Sequence, residues 1–169
     1  DYALFMALKN AHMDRAWIDW EEELKLHEAA AVAAAKVQYQ DRMNFYCFLQ
    51  YEFSREWHAL KTYANENGIK IFGDIPIYVA YDSADVWAGS DKFWLDEEHQ
   101  PVQVAGCPPD AFSEDGQLWG NPLYLWEAMA ASDNPYEWWV QRIAYCLDLY
   151  DVVRIDHFRG FEAYYAIPF

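Results

Sequence analysis

No glycine or proline occurs in the first 67 residues, whereas all seven glycines and all seven prolines fall between Gly68 and Phe169. The residues that most readily break a helix are therefore missing from one stretch and concentrated in the other. The first section is expected to be helical. Within it Phe45, Leu49, Phe53, Trp57, Leu60 and Ala64 recur every three or four positions, the spacing of one buried face of a long helix. Asn67-Gly68 offers that helix a left-handed stop. An earlier helix is expected from Tyr2 to about His12, with a break across Trp17–Glu23 before the alanine-rich run.

Beyond Gly68 the pattern alternates. Ile69-Lys70-Ile71-Phe72-Gly73-Asp74 reads as a short strand ending in a carboxylate. Asn134-Pro135 reads as a helix cap followed by a first-turn proline, after which Trp139, Ile143, Leu147 and Tyr150 share a helical face. That helix runs almost directly into Val152-Val153-Arg154-Ile155-Asp156, a second strand with an acidic end. Between the two units, Ile75 to about Pro122 reads as one long loop rich in Pro, Gly, Asp and Trp. Helix followed by strand, twice, with acidic strand ends, is the pattern of part of a (β/α)₈ TIM barrel, where chemistry gathers at the C-terminal strand ends. A doubly wound α/β sheet is the structural competitor, because alternation alone does not separate the two. The expected organisation is a helical section, 1–67, packed on a partial barrel, 68–169.

Composition narrows the partners. Twelve basic against 28 acidic residues give a net charge of −16, which speaks against nucleic acid and anionic membranes, since both require a basic face. Aromatic residues reach 19% with nine tryptophans; flat rings fill cores and also stack on the apolar face of sugars. Cys47, Cys107 and Cys146 are odd in number and widely spaced, as free thiols of a reducing cytoplasm are. Five scattered histidines give no case for zinc. Asp82, Asp85 and Asp91 lack the spacing of a calcium loop, and Ser83 lacks a Gly-x-Ser-x-Gly frame. No phosphate-cradling glycine loop is present, so no nucleotide cofactor is expected.

The charged pair at the end of an apolar strand is the feature that core packing does not explain. Strand side chains alternate faces with period two, so Arg154 and Asp156 point the same way. A guanidinium beside a carboxylate favours its charged form, which suits a nucleophile or general base. A buried structural ion pair is the bland alternative. Asp74, also placed at a strand end, is the candidate partner carboxylate, with backbone capping as its alternative role.

Several blocks together resemble one family. Gly73-Asp74-Ile75-Pro76-Ile77-Tyr78-Val79-Ala80 with Asp82-Ser83-Ala84-Asp85-Val86-Trp87, the stretch from Pro108-Pro109-Asp110 to Tyr124, and Arg154-Ile155-Asp156-His157-Phe158-Arg159-Gly160-Phe161-Glu162 are similar to the 4-α-glucanotransferases, also called amylomaltases or disproportionating enzymes, of the α-amylase clan. The resemblance implies barrel strands three and four, with Ile75–Pro122 as the substrate loop. It implies Asp156 as nucleophile and Arg154 as the guanidinium that orients it. Asp74 and His157 would hold sugar hydroxyls, Trp119 would stack on the acceptor side, and Phe112 would be one ring of the loop around the glucan. The implied substrates are α-1,4-glucans such as maltooligosaccharides and starch or glycogen segments, and the implied chemistry is retaining transfer.

Two departures qualify this. Ala111 stands where some members carry a tyrosine beside the phenylalanine, which bears on acceptor affinity and product size. The family's acid/base glutamate follows its fifth strand and its transition-state aspartate comes later still, so neither is expected within residues 1–169. The segment is accordingly expected to be inert without the remainder of a parent chain. A non-catalytic glucan-binding or assembly module, and an α-glucan hydrolase of the same clan, are the alternatives.

Overall fold

The structure, a computed structural model, describes residues 1–111 and 113–169. The glycine- and proline-free stretch is helical: α1 (Tyr2–Ala11), α2 (Glu22–Lys25), α3 (Ala29–Gln38) and α4 (Gln40–Glu66), with a 3₁₀ turn at Trp17–Asp19. Gly68 stops the chain in the left-handed region, at φ 75°, and the Ile69 N–H closes on the Ala64 carbonyl. This is the left-handed helix end that Asn67-Gly68 predicts.

The expected buried face of the long helix is not buried. Phe45, Leu49, Phe53 and Leu60 are 42–55% exposed, and α4 contains no buried residue. Within residues 1–169 the packing partners of α4 are short. At about 1.5 Å per residue a 27-residue helix extends roughly 40 Å, far beyond the ten-residue α1 laid against one end. The attachments are local. Tyr46 Oη donates to Asn10 Oδ1, and Trp57 Nε1 donates to the Leu149 carbonyl at 2.8 Å.

The core lies elsewhere and joins both sections of the chain. Leu4, Phe5 and Leu8 of α1 pack with Trp17, Trp20, Val86 and Trp87. Trp17 and Trp87 are fully buried, and each indole N–H finds a carbonyl, Tyr81 at 2.8 Å and Leu24 at 2.7 Å. Burial of two such rings without orphaned donors is what makes them core residues.

Two small sheets follow. β1 (Phe72–Pro76) pairs in parallel with β4 (Val152–Asp156), placing Asp74 opposite Arg154 and Pro76 opposite Asp156. β1 begins three residues later than expected, so Asp74 sits mid-strand instead of at its end. The preceding residues are taken up by the helix stop: the Ile71 N–H binds Asp151 Oδ2 at 2.7 Å and Asn65 binds the Ile69 carbonyl at 3.0 Å. The second sheet is antiparallel, in the order β3–β2–β5, from β2 (Gln103–Cys107), β3 (Gln117–Pro122) and β5 (Tyr165–Pro168). The expected loop therefore holds two strands and the short α5 (Ala84–Ala88), whose cap is the Ser83 hydroxyl accepting from the Val86 N–H.

After α6 (Trp126–Ala131), α7 (Glu137–Leu149) is capped by Tyr136, two residues beyond the expected cap. Asn134 and Pro135 form a turn before the helix, closed by Glu137 N–H to the Asn134 carbonyl at 3.1 Å, and Tyr136 enters left-handed at φ 58°. The buried face of α7 is Trp139, Cys146 and Leu149, with Leu147 turned outward. Seven residues return almost to the same side of a 3.6-residue helix, whereas eight overshoot by roughly 80°.

Candidate active site

The alternation of β1 and β4 separates two faces. Phe72, Asp74 and Pro76 stand with Val152, Arg154 and Asp156 on one exposed face; Gly73, Ile75, Val153 and Ile155 turn toward the packed side. Gly73 permits this arrangement, because a Cβ there would fall 2.1 Å from Cδ2 of Tyr150, whose ring lies against the strand.

Arg154 joins two carboxylates. Its Nη1 donates to Asp74 Oδ2 at 2.9 Å and its Nη2 to Asp156 Oδ1 at 2.5 Å. The pair expected between neighbours on one strand is therefore a triad across two. The cross-strand register supplies the third member by placing Asp74 opposite the arginine. All three side chains are about half exposed, at 49–57%. Within residues 1–169 the ion pairs are therefore not buried.

The chain then turns sharply. His157 adopts a left-handed conformation, φ 56° and ψ 42°, before the 3₁₀ turn Phe158–Phe161. For a residue with a bulky side chain this costs on the order of 1 kcal/mol and swings the ring away from the strand line. Gly160 makes room for it: a Cβ there would lie 2.9 Å from both His157 Cδ2 and Ile77 Cδ1. The His157 ring stands edge-on to Trp119, centroids 5.1 Å apart, and its Nε2 is buried without a hydrogen-bond partner among the described residues.

A cleft of about 550 Å³ opens here, lined by Pro76, Ile77, Tyr78, Ala80, Trp119, Asn121, Asp156 and His157. Asp156, His157 and Trp119 thus meet in one hollow. Arg154 is joined to it by its ion pair with Asp156, and Asp74 by its ion pair with Arg154. Phe112 lies outside the described residues. Sequence reasoning missed Tyr78 and Asn121, whose only signal is position just after β1 and at the end of β3. The Tyr78 hydroxyl is buried without a partner among the described residues, and burial pushes its phenol up to about 12, so it holds its proton at neutral pH.

The floor is braced from below. Tyr124 donates its hydroxyl to the Ile77 carbonyl at 2.7 Å; Arg142 of α7 donates Nη2 to the Pro76 carbonyl at 2.7 Å and Nη1 to the Tyr124 oxygen at 3.3 Å. Burial drives the Tyr124 phenol far above its ordinary range, so it remains a donor. Two consecutive backbone carbonyls of the cleft wall are therefore satisfied by side chains of the helical layer.

Acidic groups bridged by a guanidinium, beside exposed rings at the C-terminal ends of parallel strands, define the class: an α/β protein whose strand ends form a polar, ring-lined cleft. Residues 1–169 match the family described as 4-alpha-glucanotransferase, and the chain belongs to that family. It is 51% identical over 170 residues to a 4-alpha-glucanotransferase of Clostridium butyricum, covering 100% of this chain and 34% of the relative. A Thermus thermophilus 4-alpha-glucanotransferase is 51% identical over 168 residues, covering 99% and 33%. Among solved structures, the amylomaltase from Streptococcus agalactiae in complex with acarbose superposes with a TM-score of 0.92 at 42% identity, over 99% of this chain and 34% of that one. The chain thus spans about a third of the length of these relatives. Among the described residues no helix is long and apolar enough to cross a membrane.

Proposed function

We propose that this chain carries the nucleophile half of a 4-α-glucanotransferase site, built on part of a (β/α)₈ barrel. In this reading β1 and β4 are adjacent barrel strands, residues 1–67 are a helical layer packed on residues 68–169, and the exposed β1–β4 face looks into the barrel. The observation that carries the reading is the single guanidinium shared by Asp74 and Asp156 at the wall of a ring-lined cleft.

Asp156 is the nucleophile. It attacks the anomeric carbon of an α-1,4-glucan; the C–O bond to the reducing-end piece breaks, and that oxygen takes a proton from an acid supplied by the longer parent chain. The 4-hydroxyl of a second glucan then attacks the same carbon, gives up its proton to the conjugate base of that acid, and releases Asp156. Two displacements retain the α configuration, and in such sites the two carboxyl groups lie about 5–5.5 Å apart. Arg154 holds the Asp156 oxygens in line for attack. Asp74 and the buried His157 Nε2 hold sugar hydroxyls, and Trp119 offers a ring face to the acceptor sugar. Phe112 contributes a ring from the loop. Transfer prevails over hydrolysis when a stacked sugar, not water, occupies the acceptor side. Residues 1–169 alone are inert, for want of the leaving-group acid, whose contribution is typically on the order of 10²–10⁴-fold. A reducing cytoplasm suits the three unpaired thiols.

The test uses the full-length parent enzyme and maltotriose. Glucose together with maltopentaose and longer chains is the expected product set, and Asp156→Asn lowers its formation by more than roughly a thousandfold. Glucose and maltose in equal amounts, with no longer chain, would mean hydrolysis and would refute the transfer reading. Turnover by residues 1–169 alone, free of host enzymes, would refute the division of the site.

A further inference from the structure

Buried polar side-chain atoms without a hydrogen-bond partner among the described residues occur on Trp20, His27, Tyr78, His99, Trp139 and His157. Of these residues, Tyr78 and His157 line the Asp156 cleft. We propose that Tyr78 is a further sugar-binding residue, donating its phenol hydroxyl to the sugar unit that His157 also holds. The proposal rests on the reading of that cleft as a glucan site and adds a fixed donor to its wall.

The unpartnered hydroxyl is out of keeping with its surroundings. Tyr78 is only 5% exposed. Other buried rings satisfy their donors: Tyr124 on the Ile77 carbonyl at 2.7 Å, Trp17 on the Tyr81 carbonyl at 2.8 Å and Trp87 on the Leu24 carbonyl at 2.7 Å. A buried hydroxyl left unpaired costs free energy that phenylalanine, filling the same space, would not incur. The same cost falls on His157 Nε2, whose ring lies 6.4 Å from the Tyr78 ring between centroids. A sugar hydroxyl donates once and accepts twice, so a glucose unit against this wall offers an acceptor to the phenol and a partner to the imidazole nitrogen. Burial pushes the phenol up to about 12, so it keeps its proton and stays a donor.

The ring that carries the hydroxyl is held on both sides. Beneath it Tyr124 stacks with centroids 5.9 Å and planes 19° apart, and Tyr124 is itself tied to the Ile77 carbonyl and to Arg142. On the cleft side Tyr78 meets Trp119 at 6.3 Å. Trp119 also stands 5.1 Å from His157 and is 36% exposed, so it is the ring that tilts when a sugar reaches the two covered atoms. A donor placed in advance on a packed ring loses little freedom when the sugar binds.

The experiment uses the full-length parent carrying Asp156→Asn, which halts turnover, with and without Tyr78→Phe. Phenylalanine keeps the ring and removes only the hydroxyl. Maltotriose affinity, measured by titration calorimetry, is expected to fall roughly two- to tenfold, as loss of one neutral hydrogen bond does. The thermal midpoint of the sugar-free variant is expected to hold or rise, because the hydroxyl bonds nothing in the free protein. A merely structural hydroxyl gives the opposite pair, a lower midpoint with unchanged affinity. Unchanged affinity, or a midpoint lower by more than about 2 °C, overturns the proposal. Failure of the cleft reading is recognised separately: a parent that binds no maltotriose refutes both. A parent with Asp156 intact that disproportionates maltotriose, beside a Tyr78→Phe variant that binds it as tightly as before, refutes the Tyr78 assignment alone.

Discussion

Replacing Arg154 tests the triad most directly. The guanidinium makes two charge-assisted hydrogen bonds, 2.9 Å to Asp74 and 2.5 Å to Asp156. Such bonds contribute about 1.5–3 kcal/mol when shielded, and exposed ion pairs contribute less than about 1 kcal/mol. With side chains 49–57% exposed, about 1–1.5 kcal/mol per bond is the appropriate figure. Arg154→Met removes both bonds and leaves two like charges facing each other, so kcat/KM for maltotriose in the parent enzyme should fall roughly 30- to 150-fold. Arg154→Lys keeps a cation with no fork and can satisfy one carboxylate, which predicts a loss of roughly five- to tenfold. Asp74→Asn removes the other leg of the fork as well as a contact to sugar hydroxyls, so the Arg154→Met/Asp74→Asn double variant should lose less than the sum of the two single losses. Glucose release from maltotriose, followed over a substrate series, reads all three. Arg154→Lys within twofold of the unmodified enzyme, or strictly additive losses in the double variant, would refute the shared-guanidinium argument.

Two further perturbations probe the surroundings. Gly160→Ala places a methyl group 2.9 Å from the His157 ring and from Ile77, so the ring must tilt; a rise in KM for maltotriose is expected with a stability loss of about 1–3 kcal/mol, and an unchanged KM would show that Gly160 does not seat His157. His27 and His99 are held below the ordinary histidine range chiefly by burial, with Lys36 and Lys25 respectively adding to the depression. The unfolded chain takes up a proton near pH 6.5 while the folded chain resists it, so stability falls as pH drops below about 6.5. His58 works in the opposite sense, because the Ser54 carbonyl and Asp148 raise it. His99→Asn, which suits the φ of 62°, should therefore flatten the loss of thermal midpoint between pH 7 and pH 5, and an unaltered slope would contradict the assignment.

The helical section, the Gly68 stop, the α7–β4 unit and the Arg154–Asp156 pair were legible because each rests on local rules: breaker content, left-handed glycine, 3.6-residue and two-residue periods. What escaped depended on contacts distant in sequence. β2 and β3 are five and six residues long and pair across a Pro- and Gly-rich turn, so no periodic stretch marks them. The start of β1 was displaced because Asp151, eighty residues on, captures the Ile71 N–H. The outward face of α4 misled in a different way. Its spacing correctly announces a helix, but spacing records only that a face is apolar, and whether the face is covered is decided by the reach of its partners. Tyr78 was invisible for the same reason: no pattern in Ile77-Tyr78-Val79 distinguishes a ring beside a cleft from a ring in the core.

The site also shows why its reactive groups and its stability come from different residues. Asp74, Arg154 and Asp156 stand on the sheet face that is exposed among the described residues. The strands are held from the other side. Tyr150 lies on Gly73 and is itself met edge-on by Trp57 of α4, centroids 5.9 Å apart. Arg142 and Tyr124 grip two successive carbonyls where β1 ends. On the proposal that Asp156 attacks a carbon, its carboxylate needs placement to a fraction of an ångström, and half-exposed ion pairs cannot supply that alone. The precision comes through the backbone, from tyrosines, a tryptophan and an arginine that need touch no sugar, and the free face is thereby left to the chemistry.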